Sequence, residues 1–373
     1  MDAPPAAPAS SQFPPFPAGV DIELTSRCNA HCTFCPRDET PHQGLIDEAT
    51  FAAALARAVE YRDAHLELQR KQPGYFGTPE DTIWLSYCGM GEPLLHPRAV
   101  EYVARAAEAG LRPVINTNAA MLSPETGDDL MDAGLEMVCI NVGEVGDDYE
   151  AVYRLPFERT RANVENFLAA SRGRCSVTIA LVDHRRDPAH AAEMREYWAA
   201  LGAESFMPFE LVNRAGSLQV DEQVEVFETY RDEARALLEE KGGWGQCWAP
   251  FLYPFIGYDG NYYLCSSDWR KEVNLGNVFE HALADVLDEK VDQVCGASPI
   301  CQGCTHEPTN VLAQKLADAA SPTGGGAVPA STPDELLAGL DHFAGCLAAM
   351  RAHMPQTPVD HRTKTRRLIP IRS

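Results

Sequence analysis

From Val20 onward, short apolar or β-branched runs alternate with longer segments whose apolar residues recur at helical spacing. The short runs predict strands over 20–25, 82–87, 112–116, 136–142, 176–182 and 204–210. The periodic segments predict helices over 48–68, 98–109, 125–133, 161–171, 188–200 and 221–240. Parallel strands need crossover connections, so six such β–α units call for an α/β fold: a partial (β/α)6 barrel over residues 20–241. Ligands in these folds gather at the carboxyl ends of the strands. Polar clusters fall there at 28–35, 89–93 and 117–118.

Gly242-Gly243-Trp244-Gly245 breaks the pattern, and the stretch to residue 320 is aromatic and turn-rich, with Tyr258-Asp259-Gly260-Asn261-Tyr262 reading as a hairpin turn. Residues 321–333 have linker composition. Thr332 and Glu335 form a capping box around Pro333 and start a terminal helix, in which Leu336, Leu340, Phe343, Leu347, Met350 and Met354 share a face. A basic tail (Arg362, Lys364, Arg366, Arg367, Arg372) completes the 334–373 segment. Residues 1–19 are proline-rich and read as a disordered leader.

Charge and composition narrow the function. Asp plus Glu number 54 against 31 Lys plus Arg, a formal charge of −23, so nucleic acid is not an expected partner. No apolar run reaches the ~18 residues of a membrane span. The first 20 residues have neither a basic n-region nor an apolar h-region, so a cytoplasmic location is expected. In that reducing compartment the twelve cysteines are not six disulfides. Cys28, Cys32 and Cys35 crowd together, as do Cys247, Cys265, Cys295, Cys301 and Cys304; such crowding suits thiolate ligation of zinc or iron–sulfur. Cys88, Cys139, Cys175 and Cys346 stand alone, as small buried hydrophobes do.

The pattern Cys28-x3-Cys32-x2-Cys35 offers three thiolates on one tight loop, enough for three corners of a cubane. The missing fourth ligand would leave one iron open to an exogenous chelator. A zinc site completed by His31 or His42 is the alternative. The motif, its place after the first strand and the aromatic Phe34 before the last cysteine resemble the radical S-adenosylmethionine (SAM) superfamily. The resemblance implies a 4Fe–4S cluster on Cys28, Cys32 and Cys35. Its open iron would be chelated by the amino and carboxylate groups of SAM, whose reductive cleavage yields a 5′-deoxyadenosyl radical. It also implies an electron donor such as flavodoxin or ferredoxin. Cys88-Gly89-Met90-Gly91-Glu92-Pro93 is similar to the family's Gly-Gly-Glu element, with Met90 at one glycine position; Gly89, Gly91 and Glu92 are its expected SAM contacts. Asn116-Thr117-Asn118 is similar to the family's Thr-Asn-Gly, with Ala119 in place of glycine. Asn141 matches a ribose-contacting position, and Arg154 one facing the carboxylate.

Four further thiols, Cys247, Cys265, Cys301 and Cys304, suffice to close a zinc site or a second cubane. The run from Cys247 through Tyr258-Asp259-Gly260 to Cys265, followed by Leu275-Gly276-Asn277-Val278, resembles the SPASM/twitch extension of radical SAM enzymes. The resemblance implies one auxiliary 4Fe–4S cluster with all four corners ligated; Cys295 is a substitute ligand or a spare. The expected activity is radical oxidation of a small polar metabolite (aminosugar, cyclitol or nucleoside), with the auxiliary cluster as electron acceptor. Epimerisation, sulfur insertion and modification of a ribosomal peptide are the alternatives. Asp183, His184 and Glu210, at strand carboxyl ends, are the candidate bases, and Cys88 or Cys139 the candidate hydrogen donor.

Overall fold

The computed structural model describes residues 19–40, 42–71, 82–185, 187–210, 221–241, 247, 249–295, 298–320 and 332–337. The leader up to residue 18, the glycine-rich break, most of the linker, the terminal helix beyond Leu337 and the basic tail lie outside them.

Six parallel strands stand in sequential order: β1 (Gly19–Ile22), β2 (Trp84–Tyr87), β3 (Arg112–Thr117), β4 (Met137–Val142), β5 (Ser176–Asp183) and β6 (Ser205–Glu210). The connecting helices are α1 (Glu48–Lys71), α2 (Ala99–Glu108), α3 (Pro124–Asp132), α4 (Gly146–Tyr153), α5 (Phe157–Ala170) and α6 (Pro188–Ala200), with α7 (Asp221–Lys241) after β6. This is the partial barrel expected from the hydrophobic pattern. Helix α4 has no counterpart among the expected helices, because its acidic sequence carries little apolar periodicity.

The chain continues through α8 (Ala249–Leu252), β7 (Phe255–Ile256), β8 (Asn261–Tyr263), β9 (Asn274–Asn277), α9 (Leu283–Cys295), α10 (Pro299–Gln302), α11 (Pro308–Ala320) and α12 (Pro333–Leu337). The expected turn is present: β7 and β8 pair antiparallel, and Gly260 supplies the left-handed φ of +79° that the reversal needs. Strand β7 also pairs in parallel with β1, Asp21 opposite Phe255 and Ile22 opposite Ile256. The extension therefore prolongs the barrel's own sheet, in the order β6-β5-β4-β3-β2-β1-β7-β8-β9.

Strand alternation divides the sheet's two faces. Val20, Ile22, Leu85, Tyr87, Ile115, Val138, Ile140, Val142, Ile179 and Leu181 join the helices in the main core. The opposite, inner face presents Asp21, Ser86, Asn116, Cys139, Asn141, Thr178 and Ser205 at alternate positions. Its amino-terminal end is closed by Trp84, Val114 and Met137, packed with Tyr253. Above that apolar floor the inner face is mostly polar, while the outer face is apolar.

Candidate active site

The three-cysteine loop leaves β1 through extended residues bridged to the chain after it, Thr25 opposite Leu45. It is tied to the end of α4, with His31 N–H donating to Tyr153 O (3.1 Å) and Thr33 N–H to Val152 O (3.0 Å). The Phe34 ring meets Tyr153 edge-on at 5.5 Å between centroids. Cys28, Cys32 and Cys35 are all half-buried. Burial and the neighbouring thiols push the Cys32 thiol up, and burial pushes Cys28 up to about 11. A buried, mutually repelling thiolate set of this kind suits a cationic metal core, which removes the repulsion. His31 is engaged elsewhere, its Nδ1 lying 2.8 Å from Asp38 and 3.1 Å from Arg37.

The Gly89–Glu92 turn is built into the same end. Glu92 is buried, and its carboxylate accepts from Asn118 N–H (2.8 Å), Thr117 Oγ1 (2.8 Å) and Leu94 N–H (3.1 Å), joining the ends of β2 and β3. Desolvation nevertheless raises its pKa to about 7. Asn118 Nδ2 donates to Asn29 Oδ1 (2.9 Å) and approaches Cys28 Sγ at 3.8 Å. A Cβ at Gly91 would lie 2.1 Å from Thr25 O and 2.5 Å from Arg27 O, so only glycine fits between these backbones. Asn116 Nδ2 donates to Ser86 Oγ (3.1 Å), and Asn141 Nδ2 to Thr117 O (3.5 Å). Arg154 is exposed, at the left-handed C-cap of α4 (φ +58°) beside Tyr153.

Several charged groups of the site escaped the sequence reading. Glu23 is fully buried; it accepts from Met90 N–H (3.0 Å) and pairs with Lys271 Nζ at 2.5 Å, linking the barrel to the extension. Glu144, 1% exposed, accepts from Arg185 (2.6 Å to Oε1, 2.7 Å to Oε2) and lies 3.1 Å from His190 Nε2; His184 Nε2 approaches it to 2.9 Å without hydrogen-bond geometry. The His184 ring lies 5.8 Å from Phe34, next to the cysteine loop. Burial lowers the His184 pKa, opposed by the Glu144 charge. Asp21 hydrogen-bonds to Cys88 and Ser86, and burial raises it to about 7. Asp21 and Glu23 had a legible signal, charges at alternate positions of a strand otherwise apolar. Glu144 had none, since its partners come from beyond the next strand. Cys88 borders the concavity; Cys139 is buried, its thiol pushed up to about 12 by burial. The side chains of Glu210 and Cys295, and all of Cys346, lie outside the described residues.

Cys247, Cys265, Cys301 and Cys304 are all buried, with 7–9% exposure. Desolvation and mutual repulsion raise the Cys247 and Cys301 thiols. Asn310 organises the Cys301–Cys304 turn, its Nδ2 donating to the carbonyls of Cys301 (3.1 Å), Gln302 (2.9 Å) and Cys304 (3.0 Å). Among the described residues no three Cys, His, Asp or Glu side chains converge tightly enough to grip a single metal ion. Cys247 nevertheless interacts electrostatically with Cys304, Cys265 and Cys301, and Cys32 with Cys35 and Cys28, so the thiols of each group are neighbours.

A three-cysteine loop at the carboxyl edge of a parallel half-barrel, followed by four buried cysteines in an extension of the same sheet, matches the arrangement expected from the sequence for SAM-cleaving radical enzymes. Residues 22–194 match the radical SAM superfamily and residues 247–305 the SPASM iron–sulfur cluster-binding domain. The chain thus carries a radical SAM domain and a SPASM domain, and its cofactors are SAM and two 4Fe–4S clusters. It is 26% identical over 221 residues to a PqqA peptide cyclase of Methylocella silvestris, a match covering 56% of this chain and 53% of that protein. The chain thus spans about half the length of this curated relative. Its fold is similar to that of BtrN in complex with AdoMet and 2-DOIA (TM-score 0.52, 16% identity, 78% of this chain and 94% of that one). It is also similar to anSMEcpe with bound AdoMet and Cp18Cys peptide (TM-score 0.55, 12% identity, 91% and 99%). No helix among the described residues is long and apolar enough to cross a membrane.

Proposed function

We propose that this radical SAM enzyme oxidises a small polar metabolite at a carbon bearing oxygen or nitrogen. In this reading Cys28, Cys32 and Cys35 hold the SAM-binding cluster, and Cys247, Cys265, Cys301 and Cys304 the auxiliary one. When bound, these groups supply the electron that opens SAM into methionine and the hydrogen-abstracting 5′-deoxyadenosyl radical, and an acceptor for the substrate's surplus electron. The chain's own residues do the rest. Gly91 lets the turn approach the loop, and Glu92 and Asn118 fix its position. Phe34, Gly89, Asn116, Asn141 and Arg154 complete the SAM contacts.

The observation that carries the oxidation reading is the Glu144–His184 pair beside Phe34. Burial keeps the imidazole neutral and able to accept the proton that a carbinol or amine carbon radical releases. Glu144 then stabilises the imidazolium. The polar inner face, from Asp21 to Ser205, suits a hydroxyl- or amine-rich substrate. BtrN supports the same reading, its complex holding AdoMet and 2-DOIA in a similar fold.

The test is anaerobic reconstitution with SAM, dithionite and panels of aminosugars, cyclitols and nucleosides, followed by mass spectrometry. A product two hydrogens lighter, with substrate deuterium appearing in 5′-deoxyadenosine, is expected. A product of unchanged mass in H2O that takes up one deuterium in D2O would replace oxidation by epimerisation, with Cys88 or Cys139 returning the hydrogen. A second reading, peptide modification, is favoured by the PqqA peptide cyclase relative; micromolar binding of a precursor peptide would establish it.

A further inference from the structure

We propose that Lys290 is a positioning residue for the auxiliary cluster: its buried ammonium clamps the segments bearing two of the thiols and makes the cluster easier to reduce. The inference rests on the reading that Cys247, Cys265, Cys301 and Cys304 hold that cluster.

Lys290 lies in the middle of α9 with no exposed surface. It occupies a position in that helix's buried stripe, in line with Leu283, Val286 and Val294. An apolar residue would serve packing there, since lysine is almost never fully buried without a partner. Its Nζ donates to Pro250 O (2.9 Å) and Leu264 O (2.7 Å). Pro250 lies three residues after Cys247, and Leu264 immediately precedes Cys265. One ammonium therefore ties together the two thiol-bearing segments on either side of the β7–β8 hairpin.

Burial lowers the Lys290 pKa to about 7, while the charges of Cys265, Asp21 and Asp268 that face it favour the ammonium, as an anionic cluster on the neighbouring thiolates would. Asp268 is itself held by Glu272 N–H and Val273 N–H, both at 3.0 Å. A cluster on four thiolates is anionic, and reduction adds another negative charge. A buried cation beside it, at low local dielectric, favours the reduced form. Lys290 also interacts electrostatically with Asp21, which lies on the inner face opposite Ser86 and hydrogen-bonds to Cys88. Lys290 thus interacts electrostatically with both Asp21 and Cys265, so a change of charge at Asp21 is felt at the cluster. No additional reaction step is involved.

The test uses the full chain with Cys28, Cys32 and Cys35 all changed to Ala, which retains only the auxiliary cluster, in an EPR-monitored redox titration. Lys290→Met is expected to shift the midpoint negative by at least about tenfold in the reduction equilibrium, 59 mV for one electron. Lys290→Arg should retain most of the wild-type value. Asp21→Asn, compared at pH 8 where Asp21 has lost its proton, removes the opposing charge without altering a thiol-bearing segment and should shift the midpoint positive. A midpoint unmoved by Lys290→Met at full iron content overturns the proposal. Where Lys290→Met fails to hold iron, Asp21→Asn decides, and an unmoved midpoint there overturns it. A triple-alanine chain that binds no iron defeats the four-thiol reading itself, and the proposal with it.

Discussion

Replacing Cys28 by Ala removes one of only three thiols on its loop. Iron is expected to fall from about 8 to about 4 per reconstituted chain, and 5′-deoxyadenosine formation to cease. Cys301→Ala is expected to do the converse: SAM cleavage continues while net substrate turnover stops. Both outcomes are read from iron content and chromatography of the same reactions. His184→Ala should leave SAM cleavage intact and lower product formation by about 10²-fold or more, the usual worth of a positioned base. Equal product from the variant would remove His184 from the chemistry. The cysteine motifs were legible because thiol spacing needs no knowledge of the fold. Glu144 was not, because its role arises only when β4 and β5 stand side by side, bringing His184 and Arg185 to it.

At the scale of elements, the sequence pattern located all six barrel strands and the helices between them, apart from α4, to within a few residues. Burial on one face imposes a strong period of two on a strand and of 3.6 on a helix, and that signal survives without structural knowledge. Strands β7 to β9 were less legible, being only two to four residues long. The junction between strand ends is where backbone approach matters most. Gly91→Ala forces a methyl against Thr25 O and Arg27 O, neither of which can yield as a side chain would. A cost of about 1–3 kcal/mol is expected in the denaturant midpoint, with SAM cleavage lost in parallel. Glu23→Gln weakens the buried pair with Lys271 and should destabilise by a comparable amount, whereas changes to the exposed Arg98–Glu101 pair should be nearly silent.

For the whole molecule, the buried carboxyls of Asp21 and Glu92 set a pH dependence. Each holds its proton to about 7 in the folded chain, against 3.8 and 4.5 for the free groups. Between those limits the native state binds more protons than the unfolded chain. Their contribution therefore makes stability fall as pH rises from about 4 to 7, and levels off above. Asp21→Asn should flatten that slope in denaturant melts across the window; an unchanged slope would show that Asp21 is ionised throughout. The β1–β7 ladder has a consequence for electron travel. Because the proposed cluster segments hang from one hydrogen-bonded sheet, the cysteine loop after β1 and Cys265 after β8, the gap between them is a matter of register, not of hinge angle. A slipped rung would lengthen the tunnelling distance permanently, and breathing between lobes would do little to restore it.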